Sequence, residues 1–208
     1  MTTLEIIGLA PSTYTRAVLM ACEEKGVPYH LTVAPPHSPP VNAVHPFGKI
    51  PVMRHGDIEL CESAAIATYL DNVFDGPKLF PDKPIDAARA EQWISIVNTM
   101  MDTPMVRNYV LKYAFPVDGK PDRAAIDTSV ETMKKQVPIL DAAVEQTGNL
   151  AGHDFSFADI NLMVILYYLR QFPEAAALLQ QTKNLEAYYA RHSERPSFTR
   201  TIPPRPGA

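Results

Sequence analysis

Proline punctuates this chain unevenly, and that spacing limits its fold more than any other feature. Of 20 prolines, groups fall at Pro35, Pro36, Pro39 and Pro40, at Pro77, Pro81 and Pro84, and at Pro203, Pro204 and Pro206, while only five lie between Pro84 and Pro196. Proline lacks an amide N–H and ends regular elements. A first part rich in loops is therefore expected, followed by a second part free to form long helices. The 208 residues suffice for one large domain or two small ones, each with a buried core.

Periodicity fills in both parts. Leu4 to Ile7 reads as a buried strand ended by Gly8. Ala10-Pro11-Ser12 is a turn, after which Ser12 or Thr13 can cap a helix whose buried face carries Tyr14, Val18, Ala21 and Cys22. Gly26 and Pro28 close that helix. Tyr29 to Val33 is a second strand, and the β-α-β start predicts a parallel pair with a right-handed crossover. Pro35 to Pro46 is expected as a long loop. Ile50–Met53 and Ile58–Cys61 then form a hairpin around His55-Gly56-Asp57, and a helix runs from about Ala64 to Val73. The order is thus β-α-β-loop-β-β-α over residues 1–76, a linker over 77–86, and an all-α domain over 87–208. In that second domain helices are expected over Ala87–Tyr113, over Arg123–Glu145 with Pro138 inside it, from Ser156 onward, and near Glu174–Leu179 and Leu185–His192, with coil after Pro196. The start at Ser156 is the best specified, because Ser156 and Asp159 have the spacing of a capping box.

Charge and cysteine narrow the function. A net charge of −4 argues against nucleic acid as the main partner. The two cysteines, Cys22 and Cys61, form no C-x-x-C pair and are too few for a disulfide scaffold, which predicts a reducing, cytoplasmic setting. The opening MTTLEIIG has no basic cluster and no long apolar run, so it does not read as a signal peptide, and no stretch is apolar for long enough to span a bilayer. The histidines show no metal-ligand spacing, so no metal site is expected.

Three small features carry candidate chemistry, each with a plain structural alternative. Ser12 stands at a helix N-terminus, where unpaired N–H groups favour an anion; it either caps the helix or donates its hydroxyl to a bound thiolate. Pro51, after Lys49 and Ile50, either simply opens a strand or carries a cis bond that leaves the Ile50 backbone free to pair with an extended peptide. Glu62 and Ser63 either begin a helix unremarkably or hold the ammonium and carboxylate of an amino-acid head. Taken together, the three sites suit a tripeptide with a thiol at one place and a γ-glutamyl head at another.

These residues lie in runs that carry a family likeness: G-L-A-P-S-T-Y-T-R from Gly8 to Arg16, H-P-F-G-K-I-P-V from His45 to Val52, L-C-E-S-A-A-I-A-T-Y-L from Leu60 to Leu70, and F-S-F-A-D-I-N from Phe155 to Asn161. Over nearly its whole length the sequence resembles the cytosolic glutathione transferases, and the first two runs look closest to serine-type, phi-like members. The resemblance implies an α/β, thioredoxin-like N-terminal domain and an all-α C-terminal domain. It also implies an enzyme of detoxification that adds glutathione thiolate to a hydrophobic electrophile, with glutathione as co-substrate and no cofactor. By the same resemblance Ser12 is the hydroxyl that meets the sulfur, with Thr13 as its fallback. Ile50 pairs with the cysteinyl backbone beside a cis Pro51, Glu62 and Ser63 hold the γ-glutamyl head, and Lys49 reaches the peptide. His37 lies in the loop that meets the glycyl carboxylate, although this loop is richer in proline than the family pattern. Arg16 matches a recurring structural arginine, Tyr109 and Tyr113 fall on the helix that walls the hydrophobic pocket, and a homodimer is expected. Some relatives keep the fold as non-catalytic binding or regulatory proteins, and reductase-type relatives place a cysteine where Ser12 stands.

Overall fold

The computed structural model describes residues 3–204 and divides into two compact units. The first unit contains β1 (Leu4–Gly8), α1 (Thr13–Lys25), β2 (Tyr29–Val33), the short α2 (Pro39–Asn42), β3 (Val52–His55), β4 (Ile58–Cys61) and α3 (Ser63–Val73). Its four strands lie in the order β2-β1-β3-β4. β1 is parallel to β2, with Leu4 opposite Tyr29, and antiparallel to β3, which is in turn antiparallel to β4. The thioredoxin-like arrangement expected from the sequence is present.

Two local differences follow from proline. The paired register of β3 begins at Val52 rather than Ile50, because Pro51 has no N–H to give a ladder. The expected loop after β2 contains the turn α2, since Ser38 is extended and Pro39 at the first helical position has its φ preset for a helix start.

Side chains alternate across the sheet. Ile7 and Val52 form one buried cluster with Ala34 and Val41 of α2, and Val44, Ile50 and Cys61 pack on it. Ile6 and Met53, fully buried, face the other way, the side on which α1 packs against α3. α1 ends at Gly26, left-handed at φ 65°. The two helices are tied by a buried ion pair, Lys25 Nζ to Asp71 Oδ1 at 3.1 Å, and Asp71 also accepts from the backbone N–H groups of Leu79 and Phe80.

The second unit spans Lys83–Ser193. One helical run begins with α4 (Pro84–Ile96), continues through a π-helical stretch (Val97–Val110) and ends in α5 (Leu111–Ala114). The stretch contains Pro104, which cannot give the usual i to i−4 hydrogen bond. α6 (Arg123–Glu145), α7 (Phe157–Leu169), α8 (Pro173–Leu179) and α9 (Lys183–Ser193) complete the unit. α7 is buried on nearly every side and starts as expected: the Asp159 carboxylate accepts from the Ser156 N–H and Oγ, each at 2.9 Å, while its other oxygen accepts from Leu150 N and the Tyr188 hydroxyl. No helix among the described residues is long and apolar enough to cross a membrane.

The end of the chain departs from expectation. The coil expected after Pro196 begins only past a short helix, α10 (Pro196–Arg200); residues 201–204 carry no helix or strand, the rest of that expectation lies outside the described residues, and residues 194–204 group with the first unit, not with the helical one. Proline at the first helical position again starts the turn. The anchor is Arg16 of α1, whose fully buried guanidinium lies 4.6 Å from the centroid of the Phe198 ring and donates to the Phe198 carbonyl at 3.2 Å.

Candidate functional site

Strand direction gathers the candidate residues. β1 runs antiparallel to β3, and β3 antiparallel to β4, so the C-terminal ends of β1 and β4 and the N-terminal end of β3 share one end of the sheet. Ser12 follows β1, Ile50 and Pro51 precede β3, and Glu62 and Ser63 follow β4. β2 is parallel to β1, so the segment carrying His37 leaves from that same end.

Ser12 is half-buried and extended, at φ −67° and ψ 129°. Its N–H donates to Leu9 O at 2.9 Å, which closes the turn after β1. Its Oγ accepts from Thr15 N at 3.4 Å, a long capping bond. The hydroxyl proton of Ser12 is given to no described residue. The turn needs Gly8, since a Cβ there would meet Thr15 Oγ1 at 2.6 Å. Thr13 is the first helical residue and is also half-buried.

The next segment is tightly folded. His37 is exposed and left-handed, at φ 63°. Its N–H donates to Gly48 O at 2.8 Å, and its carbonyl accepts from Asn42 Nδ2 at 2.8 Å. Gly48, at φ 62°, approaches so closely that any Cβ would collide with the His37 ring. His37 and the Gly48-Lys49 peptide are thereby held side by side. Lys49 is exposed and pairs with no described carboxylate. The Ile50–Pro51 peptide is cis, and Ile50 lies outside both strand ladders.

Glu62 and Ser63 begin α3. Glu62 adopts φ 68° and ψ 118°, a left-handed conformation unfavourable for a residue with a Cβ. Its side chain remains 71% exposed. Ser63 is buried as the first helical residue, and its hydroxyl makes no hydrogen bond to a described residue. The site thus offers two helix N-termini, each with unpaired N–H groups and no acidic residue in its first turn.

Tyr109 and Tyr113, expected on the helix that walls the hydrophobic pocket, lie within the helical unit. Tyr109 is fully buried and offers no surface to a ligand; its hydroxyl donates to Glu174 Oε2 at 3.0 Å and accepts from Ala175 N at 3.0 Å. Burial drives its pKa upward. Tyr113 keeps some exposure, but its hydroxyl is engaged by Glu174 at 2.7 Å and by Arg123 at 2.8 Å, and its ring stacks on Phe172. These tyrosines fasten α8 to the helical run before it. Cys22 is buried, and burial, with the Glu23 charge, pushes its thiol up to about 12, so it supplies no thiolate for reductase-type chemistry.

One residue of this region was not singled out from the sequence. His45 is buried, and its Nε2 lies 3.4 Å from Glu62 Oε1. The signal for it was the H-P-F-G turn itself, which in sequence looks like loop punctuation.

Comparison with known proteins bears on the whole chain. Residues 7–78 match the family described as "Glutathione S-transferase, N-terminal domain", and residues 99–196 match "Glutathione S-transferase, C-terminal domain". A probable glutathione S-transferase of rice, GSTF1, is 30% identical, over 95% of this chain and 94% of its own. Glutathione transferase F7 of Populus trichocarpa superposes with a TM-score of 0.84 at 29% identity, over 96% of this chain and 97% of its own. Maize glutathione S-transferase I, solved with an atrazine glutathione conjugate, gives a TM-score of 0.84 at 25% identity, over 96% of each chain.

Proposed function

The chain belongs to the glutathione S-transferase family, and from that premise we propose that it joins the thiolate of glutathione to a hydrophobic electrophile at the end of the sheet where Ser12, Ile50 and Glu62-Ser63 meet. The observation that carries this reading is the convergence of a serine hydroxyl whose proton is given to no described residue, an unpaired strand-edge peptide and a free helix N-terminus on one edge of the first unit. The relatives that match over nearly the full chain are themselves named glutathione S-transferases, so the enzyme reading is favoured over a binding or regulatory one.

The tripeptide is assigned residue by residue. The γ-glutamyl carboxylate meets Ser63, and its ammonium meets Glu62. The cysteinyl backbone pairs with Ile50 beside cis-Pro51. The glycyl carboxylate is met by Lys49 and His37, which the loop geometry holds together. The sulfur then lies beside Ser12, with Thr13 next to it.

The energetics suffice without metal or general base. A free thiol has a pKa of about 8.5, so about 3% is ionised at neutral pH. Lowering that pKa by about two units takes about 2.7 kcal/mol of preference for the thiolate. A hydrogen bond to a charged group contributes roughly 1.5–3 kcal/mol, and a helix N-terminus contributes roughly 0.3–2 kcal/mol. Ser12 therefore acts as a donor; the thiolate sulfur forms the new bond to carbon, and the electrophile's leaving group or π-bond takes up the displaced electron pair.

A detoxifying role in the cytoplasm and a homodimer complete the reading. The dimer rests on the family resemblance alone. Light scattering is expected to give twice the chain mass of 23.1 kDa. Titration calorimetry with glutathione, followed by a rate screen over halogenated aromatics, epoxides, enals and peroxides, tests the function; absence of glutathione binding refutes it.

A further inference from the structure

We propose that His45 is the positioning residue that fixes the Glu62 carboxylate for a ligand's ammonium group, an inference that rests on the glutathione reading of the site. Three observations support it. First, the ring's tautomer is set by the backbone. Phe47 N–H donates to His45 Nδ1 at 3.0 Å, so Nδ1 carries no proton and the ring's proton resides on Nε2. That Nε2 is the atom 3.4 Å from Glu62 Oε1.

Second, Glu62 has little else to orient it. Its side chain is 71% exposed, and His45 is its one partner among the described residues. A glutamate so exposed samples several rotamers, and immobilising it on binding lowers affinity. The imidazole is itself rigid: His45 is buried, its N–H donates to Val41 O at 2.8 Å, and its carbonyl accepts from Gly48 N at 3.0 Å.

Third, the backbone of Glu62 is held at φ 68°, which a residue with a Cβ adopts only when its surroundings impose it. This conformation places Glu62 as the cap of α3, directly before the Ser63 donors. One chain of contacts, from Phe47 N–H through the imidazole to the Glu62 carboxylate, thus links the loop carrying Lys49 and Ile50 to the residues assigned to the amino-acid head. The ammonium of the ligand completes that chain, because a carboxylate held beside the imidazole by charge and proximity keeps lone pairs for the ammonium.

The experiment compares two ligands by calorimetry: glutathione, and the same tripeptide with a glutaryl group in place of γ-glutamyl, which lacks the ammonium. His45→Leu is expected to weaken glutathione by roughly 3- to 10-fold while leaving the glutaryl analogue unchanged, since only the ammonium reads the carboxylate's position. KM for glutathione should rise by the same factor with kcat unchanged. His45→Gln, whose amide nitrogen overlays Nε2 and can donate to Glu62, should restore part of the affinity. In a Glu62→Gln background the His45→Leu change should have no further effect on glutathione. Equal weakening of both ligands, or affinity unmoved for both, overturns the role of His45 alone. Wild-type protein that fails to bind glutathione overturns the glutathione reading and this role together.

Discussion

At Ser12 the structure makes the distinction between a cap and a catalytic donor measurable. The capping bond to Thr15 N is 3.4 Å long, near the limit for a hydrogen bond, so little helix stability rests on it. Ser12→Ala is therefore expected to lower stability by less than the ~1 kcal/mol typical of a lost N-cap. Its effect should fall on the thiol instead. Glutathione still binds, the midpoint of thiolate absorbance against pH moves upward, and the rate at neutral pH falls roughly 10- to 100-fold, equivalent to about 1.4–2.7 kcal/mol. Much of the rate returns at high pH, where the thiol ionises unaided. Coincident titration midpoints would reduce Ser12 to a cap. Ser63 supplies the companion test. Its hydroxyl is free, so Ser63→Ala removes a donor to the head carboxylate without breaking an internal bond, and glutathione affinity should fall by about 1–3 kcal/mol. Unchanged calorimetric affinity would remove Ser63 from the site.

Elements were legible in the sequence wherever one residue's chemistry settles a boundary locally. Gly26 ends α1, and Ser156 with Asp159 starts α7. What stayed hidden depends on partners distant in sequence. His45 became visible only when β4 delivered Glu62 beside it, and a helix face does not tell whether Tyr109 meets solvent or another helix. The actual partner, Glu174, heads α8. Burial alone would raise its pKa, but hydrogen bonds from Tyr113, Arg123 and Tyr109 outweigh that and hold the carboxyl down at about 2. A depressed carboxyl stabilises the fold above its unfolded value near ~4.3, and that contribution is lost as pH falls from there through the folded value. The carboxylate keeps a quarter of its surface in solvent, at 26%, so its contribution is discounted for screening. Glu174→Gln should cost about 1–2 kcal/mol at neutral pH. Urea unfolding measured from pH 6 down to 2.5 should show a shallower acid slope in the variant than in the wild type. Parallel slopes would show that Glu174 is not the titrating group.

For the whole molecule, the first unit is closed by the chain's return. Helical periodicity correctly suggested a long all-α second part, but it gave no reason to expect that the segment from Glu194 on groups with the first unit, because that assignment is made by α1 and not by the segment's own sequence. The joint is chemically specific. Arg195 pairs with Glu24 at 2.6 Å, Ser197 also bonds Glu24, Arg200 meets Glu23 at 3.2 Å, and the fully buried Arg16 guanidinium lies against the Phe198 ring. The exposed Arg200–Glu23 pair contributes little, so the weight falls on the half-buried, bidentate Arg195–Glu24 pair and on the buried arginine with its ring. Phe198→Ala leaves a cavity beside a buried cation, and large-to-small changes of this kind cost about 3–5 kcal/mol. Ser12 begins the helix that this joint holds. Two effects should therefore appear together in Phe198→Ala: faster hydrogen exchange at the amides of α1, and weaker binding of glutathione. If exchange in α1 is unchanged while overall stability still falls, the joint steadies α10 only, and the first unit keeps its site without the returning chain.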